Sequence, residues 1–297
     1  MKSTDRFAPA GSTKKRSMWQ EALHRLSKNP TAMTGLAVLI VVAVLCLCAK
    51  FICPEGYDAQ DIMSKFKSPS TESIGMLFGT DNLGRSMLAR VLYGGQYSLL
   101  IGFASTLVAA VIGIILGAVA GFYGGAVDNV IMRALDILHA LPSLLLAIAI
   151  SSVMGGGIFN CIMAIGIASV PGYARTVRGP ILAIKEKEFV EAARALDARD
   201  SRIIFSHIIP NVLSPIIVHI SQGVSACILD SAALSFLGLG VQAPMPEWGA
   251  LLSQSRQFIR EYPYLVFIPG IAIALVVLSM NLFGDGLRDA LDPKLKY

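Results

Sequence analysis

Few side chains in this sequence could carry out chemistry on a substrate. The four histidines are scattered, and no two of them stand at an i, i+4 spacing. The sequence has no HExxH motif, no zinc-type cysteine pair and no Gly-x-Ser-x-Gly elbow. It also lacks the Gly-x-x-x-x-Gly-Lys-Ser/Thr loop that binds nucleotide phosphates, so any work driven by ATP needs an ATPase on another chain. The pattern disfavours an enzyme, and we expect no cofactor and no metal site.

Asp230 is a candidate for contact with a substrate, because it lies within an apolar segment at about 208–239. A carboxylate at membrane depth is costly and marks a functional site by default. Asp230 could line a pathway and meet a substrate amine or a cation. Alternatively, it lies near the outer end of its segment and pairs with a serine or a backbone group. A second acid, Asp136, is close to Arg133, and we expect it to make a structural contact.

The composition indicates a membrane protein. Apolar residues make up 54% of the 297 positions and charged residues 15%, whereas soluble domains have about 25% charged residues. We expect that the first apolar segment is not a cleaved signal peptide, because it begins about thirty residues into the chain and lacks a small-x-small cleavage site. We expect an all-α bundle of six transmembrane helices, since a helix of about twenty apolar residues crosses the hydrocarbon. The six segments are about 32–52, 97–122, 131–153, 158–174, 208–239 and 263–284.

The basic residues determine the predicted orientation. They concentrate in the tail 1–30, in the stretch 175–207 and at the C-terminus, three regions that six spans place on one side. The positive-inside rule assigns this side to the cytoplasm. The loops at about 53–96 and 240–262 then face outward, with acidic and basic residues roughly balanced. The net charge of +5 therefore reflects topology and gives no indication of nucleic-acid binding.

Small residues predict how the spans pack. Gly113, Gly117 and Gly121 recur every four residues in the second span, a ladder that lets two helix backbones approach closely in lipid. The five cysteines show no framework spacing, and most of them lie in apolar segments. We expect them to act as small packing residues.

The stretch 175–207 is charged and helix-forming, yet it lies between two apolar segments. At its centre the sequence reads Glu191-Ala192-Ala193-Arg194-Ala195-Leu196-Asp197. This stretch resembles the EAA loop of ABC importer permeases, the segment that docks onto an ATP-binding subunit.

Four further motifs occur in the order found in the dipeptide, oligopeptide and nickel permeases. The first, Phe78-Gly79-Thr80-Asp81-Asn82-Leu83-Gly84-Arg85, is similar to the family signature GTDxxGRD. The others lie at 121–133, 234–249 and 281–293. Because the five motifs together cover nearly the whole chain, it is identified as similar to the second, C-type permease of this subfamily.

The resemblance implies a MetI-like transmembrane domain over 31–297, preceded by the tail 1–30, in the bacterial inner membrane with both termini in the cytoplasm. It implies a heterodimer with a second permease, surrounded by lipid, with two ATP-binding subunits and an extracytoplasmic binding protein. The expected cargo is a di- or oligopeptide, and nickel or a nickel chelate is the closest alternative. An ion-gradient-driven carrier would lack an EAA loop and would show two related halves with broken helices.

The resemblance also implies roles for individual residues. Phe189 and Val190 are expected to insert into the ATPase, and Asp230 and Ser231 are candidates for the pathway. Asp81 and Arg85 either contact an outer partner or hold their own loop together. The full coupling set is Phe189, Val190, Glu191, Ala192, Ala193, Asp197 and Pro210.

Two positions depart from the family pattern. The family usually has glycine where this chain has Asp197, but aspartate tolerates the left-handed region better than most residues and can cap a following helix. We therefore predict that the turn is retained. Relatives commonly have glutamate where Ser231 stands, with Asp230 here one residue earlier. Since one residue is about 100° of helix rotation, we expect the carboxylate of Asp230 to point in a different direction from the glutamate of the relatives.

Overall fold

The computed structural model describes residues 18–291, and helices supply almost all regular structure in that range. An isolated bridge between Thr80 and Ser86 is its one β contact. The basic residues of the tail before residue 18, and those after residue 291, lie outside the described residues. The α-helices are α1 (Met18–Lys28), α2 (Pro30–Leu47), α3 (Ala49–Ile52), α4 (Met87–Tyr123), α5 (Gly125–His139), α6 (Ser143–Met154), α7 (Ile158–Ile184), α8 (Glu188–Ala195), α9 (Asp200–Arg202), α10 (Leu213–Phe236), α11 (Trp248–Ser255) and α12 (Tyr264–Leu291).

The two helices α4 and α7 form the centre of the bundle and pack along each other. The predicted glycine ladder lies at this contact. A Cβ atom on Gly113 would overlap Tyr173, one on Gly117 would overlap the carbonyl oxygen of Ala174, and one on Gly121 would press on Ile181. The absence of side chains therefore allows close backbone approach, which substitutes in lipid for the missing hydrophobic drive between helices.

Around this centre, α10 packs against α4, α7 and α12, and α2 packs against α12. The α2–α12 contact again uses a glycine, because a Cβ atom on Gly35 would press on the carbonyl oxygen of Ser279. The amphipathic α1 also packs against α12, with Leu26 in a small cluster beside Ala290. Cys46, Cys53, Cys161 and Cys227 are buried free thiols, in agreement with the packing role predicted for cysteine.

Two apolar clusters lie at opposite ends of α4 and define the ends of the bundle. At its N-terminal end, Met87 and Val91 pack against Trp248 and Leu251 of α11. We call this the α11 end; the loop 53–86 lies here too. At its C-terminal end, Phe122 belongs to a cluster that includes α8. We call this the α8 end.

Five helical segments are long and apolar enough to cross a membrane: Pro30–Leu47, Met87–Tyr123, Ile158–Ile184, Asp200–Phe236 and Tyr264–Leu291. A sixth span results if α5 and α6 are counted as one, although they are bent by 84°. The sequence predicted a continuous span at 131–153. The helix breaks because Pro142 has no backbone N–H to donate and disfavours helical geometry at the residue before it. Five predicted spans thus correspond to long helices, and the remaining one is broken in the middle.

Candidate functional site

The short helix α8 lies in the middle of the EAA-like stretch. Glu188 and Glu191 occupy its first turn, where acidic side chains interact favourably with the helix dipole. One face of α8 is buried, with Val190 fully inaccessible and Ala193 8% exposed. The adjoining face is open, with Phe189 39% and Leu196 83% exposed. A short amphipathic helix is therefore fixed on one side and free on the other.

Val190 corrects one of the predictions made from the sequence. Its side chain packs in the cluster at the α8 end, together with Val177 and Ile181 of α7 and with Ile203. Because it is already buried within its own chain, it is not available for insertion into another protein. Adjacent helix positions point about 100° apart, so Phe189 remains exposed while Val190 turns inward.

Asp197 ends α8 in the left-handed conformation, with φ of 55°. Its N–H donates to the carbonyl of Arg194 (2.9 Å), and the N–H of Ala198 donates to the carbonyl of Ala193 (3.1 Å). These two bonds form a Schellman motif, in which the left-handed position is usually glycine. The predicted turn is confirmed. The suggested cap is not seen, because Arg199 is the N-cap of α9 and makes no side-chain cap bond.

After α9 the chain forms a π-helix at Ile203–Ile208 and then a 3-10 turn at Ile209–Val212 that contains Pro210. Pro210 cannot donate a backbone hydrogen bond, so the regular helical pattern stops there. A π-helix inside a helical segment often marks a functional site. Sequence reasoning missed this element, since its residue pattern is that of an ordinary apolar helix. Pro210 itself is exposed.

A surface cleft of about 680 Å³ lies beside α8. Phe189, Ala192 and Leu196 give it an apolar side, and Arg199 and Arg202 bring positive charge. Glu191 is exposed on the same helix but does not line the cleft. An apolar side chain flanked by cations suits a protein surface that carries an apolar knob and acidic groups. The remaining lining residues are Ala193, Asp197, Ala198, Ser201 and His207.

Three polar contacts join the helices near the cleft. Arg194 of α8 lies over the Phe122 ring of α4, 5.2 Å from its centroid. Arg178 of α7 forms two hydrogen bonds to Asp128 of α5, from Nε (2.5 Å) and Nη2 (2.6 Å). The third is between α7 and Asp136, which accepts a hydrogen bond from Arg175 at 2.7 Å. Asp136 therefore makes the structural contact that was expected of it, although its partner is not Arg133.

At the α11 end, Asp81 and Arg85 are 3% and 6% exposed. Asp81 Oδ2 accepts hydrogen bonds from Arg85 Nε (2.8 Å) and Arg90 Nη1 (2.6 Å), and Arg90 Nη2 donates to Gln254 of α11 (2.8 Å). The GTDxxGR-like segment therefore holds its own loop against α4 and α11. Its buried charges are not free to contact an outer partner, which decides between the two alternatives.

Glu247 is a buried acid that the sequence reasoning treated only as part of a family motif. It is 1% exposed and caps α11, accepting hydrogen bonds from Ser98 Oγ and from the N–H of Ala250, both at 3.0 Å. Burial raises the pKa of the Glu247 carboxyl. The neighbouring Trp248 donates its Nε1–H to the carbonyl of Val91 at 2.9 Å. Glutamate is not among the residues preferred at an N-cap, so no local signal identified this role.

The two candidate pathway residues on α10 differ in their exposure. Ser231 is fully buried, so the prediction that it lies on a pathway is wrong for this structure. Asp230 is half-exposed, and among residues 18–291 no hydrogen bond or ion pair involves its carboxylate. The predicted difference in direction between the two adjacent positions is confirmed. The alternative, a pairing of Asp230 with a serine or a backbone group, is not found within the described residues.

Family comparisons agree with this geometry. The family described as binding-protein-dependent transport system inner membrane component matches residues 113–297. The N-terminal transmembrane domain of oligopeptide transport permease C matches residues 17–69. The stretch between the two matched regions, 70–112, contains Asp81, Arg85 and most of α4.

Similar proteins cover nearly the full chain. The dipeptide transport system permease protein DppC of Alkalihalophilus pseudofirmus is 45% identical over 94% of this chain and 91% of its own length. The glutathione transport system permease protein GsiD of Pectobacterium atrosepticum is 43% identical over 95% and 93%. The di/tripeptide transport system permease protein DppC of Pseudomonas aeruginosa is 42% identical over 94% and 91%.

Among solved structures, an inward-facing MetNI methionine ABC transporter resembles this chain with a TM-score of 0.56. The match covers 68% of this chain and 96% of that one at 18% identity, so it establishes the fold alone. The MetI-like fold predicted from the sequence is confirmed. From its family match and its full-length relatives, this chain belongs to the inner membrane components of binding-protein-dependent transport systems.

Proposed function

We propose that this chain is the permease subunit of an ABC importer that moves di- or oligopeptides into the cytoplasm. The observation that carries the proposal is the cleft beside α8, which exposed Phe189 and Leu196 line together with Arg199 and Arg202. Such a cleft, at one end of a membrane bundle, suits docking of a soluble ATPase. The peptide cargo rests on the relatives, which are named for dipeptide, di/tripeptide and glutathione transport.

The packing of α8 suggests how force reaches the membrane. Its outer face would contact the ATPase, while Val190 on its inner face packs against α7 and the π-helix. The same cluster includes Phe122 at the end of α4 and Ile216 in α10. A displacement of α8 by the closing ATPases would thus pull on the ends of three spans together. Packed cores respond to such displacements by switching between discrete arrangements, here inward-open and outward-open states.

The orientation and the remaining partners are part of the proposal. Arg175, Arg178, Arg194, Arg199 and Arg202 lie on or near the α8 end, and an excess of basic residues favours the cytoplasmic side. The chain would then have both termini in the cytoplasm of a bacterial cell and its α11 end outside. A second permease would complete the pathway, two ATP-binding subunits would dock at the α8 ends, and an extracytoplasmic binding protein would deliver the peptide.

Uptake into proteoliposomes tests the function directly. The vesicles would contain this chain, its sister permease, both ATPases and the binding protein, and would receive labelled dipeptide, longer peptides or Ni²⁺, with and without ATP. We expect ATP-dependent accumulation of peptide. Accumulation of Ni²⁺ without peptide uptake would show that the cargo is a metal and not a peptide. Uptake that ignores ATP and follows an ion gradient would contradict the ABC mechanism itself.

A further inference from the structure

Asp230 has no ion-pair or hydrogen-bond partner among residues 18–291. Asp81, Asp128 and Asp136 are each paired with an arginine. Glu247 is capped by hydrogen bonds. Asp230 lies on a membrane-spanning segment, is half-exposed on the surface of the chain, and makes no ion pair within the described residues.

The exposed face of α10 around Asp230 is lined mainly by small or apolar residues. Ala226 and Leu229 are exposed and Ala233 is half-exposed, so they form a stripe with Asp230 at helical spacing. The opposite face is closed: Cys227, Ile228 and Ser231 are buried. The small side chains at 226 and 233, about one turn on either side of the acid, leave room beside its carboxylate.

Lipid is an unsuitable environment for this face. A charged side chain on a transmembrane helix almost always faces the interior of a bundle or a water-filled cavity, because exposure to hydrocarbon is costly. Six residues separate Asp230 from the end of α10 at Phe236, a rise of roughly 9 Å. The carboxylate thus lies within about two helical turns of the α11 end.

We propose that Asp230 lines the translocation pathway and binds the protonated amino terminus of the peptide substrate. This inference rests on the proposed function and adds a contact within the permease itself. An ammonium group has three donors and one positive charge, and a free carboxylate has the acceptors and the charge to match them. A metal cargo fits less well, since no group of three or more His, Cys, Asp or Glu side chains that could hold a metal occurs among residues 18–291.

Transport by the complete complex tests the contact. Asp230→Asn removes the charge at constant size, Asp230→Glu keeps the charge, and the binding protein is the same in every reaction. Each variant would be compared with the unsubstituted chain on a dipeptide and on the same dipeptide lacking its amino group. We expect Asp230→Asn to reduce transport of the free-amine peptide about tenfold or more. The Asp230→Glu variant should retain most transport of the free-amine peptide.

Labelling provides a second measurement that does not depend on substrate delivery. In the outward-open complex, Asp230→Cys should react with a membrane-impermeant methanethiosulfonate reagent, while the unsubstituted chain reports the background of native thiols. Cys227→Ser/Ile228→Cys would be a matched control, since position 228 lies on the buried face.

The outcomes separate the two proposals. Unchanged peptide transport by Asp230→Asn, an equal loss for both peptides, or no labelling at position 230 in any state would overturn the inference and leave the importer function intact. The last result would mean that a group of the sister permease covers Asp230. Absence of ATP-dependent peptide uptake by the unsubstituted complex would instead overturn the proposed function.

Discussion

Asp81 and Arg90 form a buried ion pair in which Arg90 Nη1 donates to Asp81 Oδ2 at 2.6 Å, with the two side chains 4% and 2% exposed. The same Asp81 oxygen accepts a hydrogen bond from Arg85. One carboxylate therefore compensates two buried guanidinium groups, and through them it joins the loop 53–86 to the start of α4.

Asp81→Asn should be strongly destabilising for this reason. The substitution leaves Arg85 and Arg90 buried without their shared anion, and breaking a buried pair in this way costs about 3–5 kcal/mol. Thermal unfolding of the purified complex would measure the loss. Asp58→Asn is a matched control, because Asp58 bonds the same Arg85 at 3.2 Å but is 48% exposed; we expect a change within about 0.5 kcal/mol. Equal effects of the two substitutions would contradict the argument.

Alanine substitutions at the adjacent residues Phe189 and Val190 should affect different properties, ATPase docking at the first and stability at the second. Phe189→Ala removes an exposed side chain from the cleft, so we expect unchanged stability of the permease but weaker ATPase docking and substrate-stimulated ATP hydrolysis. Val190→Ala removes buried methyl groups and should lower the free energy of unfolding by about 2 kcal/mol. Co-purification of the ATPases and thermal unfolding would be measured on both variants. As a control, Phe51→Ala removes an exposed ring near the opposite end of the bundle and should change neither property.

Substitutions at Asp197 should follow the energetics of the left-handed conformation. Asp197→Gly relieves the Cβ strain at φ of 55° and should stabilise the chain by about 1 kcal/mol. Asp197→Val introduces a β-branched residue there and should destabilise it by a similar or larger amount. ATPase coupling should be retained with glycine and impaired with valine. If glycine left both coupling and stability unchanged, the aspartate would have no particular role.

Glu247 should make stability depend on pH. Since its folded-state pKa is raised by burial, the protonated carboxyl is favoured in the folded protein. The stabilisation that this carboxyl contributes is fully present below its pKa in the unfolded chain, and it is lost as the pH rises through its pKa in the folded protein. Glu247→Gln should remove this dependence. The melting temperatures of both proteins would be measured between pH 4 and pH 8. As the pH rises, the melting temperature of the unsubstituted protein should fall relative to that of the variant. Parallel curves would contradict the raised pKa of Glu247.

The features that could be predicted from the sequence depend on local pattern. Long apolar runs identified the spans, the glycine ladder identified the α4–α7 contact, and the residue type at Asp197 was compatible with its left-handed turn. The missed features depend on three-dimensional surroundings. Nothing in the pattern around Val190 distinguishes a residue that packs inward from one that meets a partner. The burial of Asp81 and Arg85 likewise depends on Arg90 and Gln254, which lie in two different helices.

The break between α5 and α6 could be predicted only in part from the sequence. Pro142 is visible in the sequence, but a proline near the middle of an apolar run can also produce a kink in a continuous span. The two helices meet at 84° and are held by different contacts: Asp128 and Asp136 pair α5 with arginines of α7, while Leu146 and Ala147 of α6 lie in an apolar cluster.

The buried face of α8 limits how segments can be exchanged between permeases. Val190 and Ala193 pack in one cluster with Val177, Ile181 and Ile203 of the same chain, so the helix is not a detachable module. A chimera that receives only residues 188–195 from another permease would acquire a new docking surface together with a mismatched core beneath it. Exchange of ATPase specificity between transporters should therefore succeed when the graft includes the supporting residues of α7 and the π-helix, and fail when it includes the exposed helix alone.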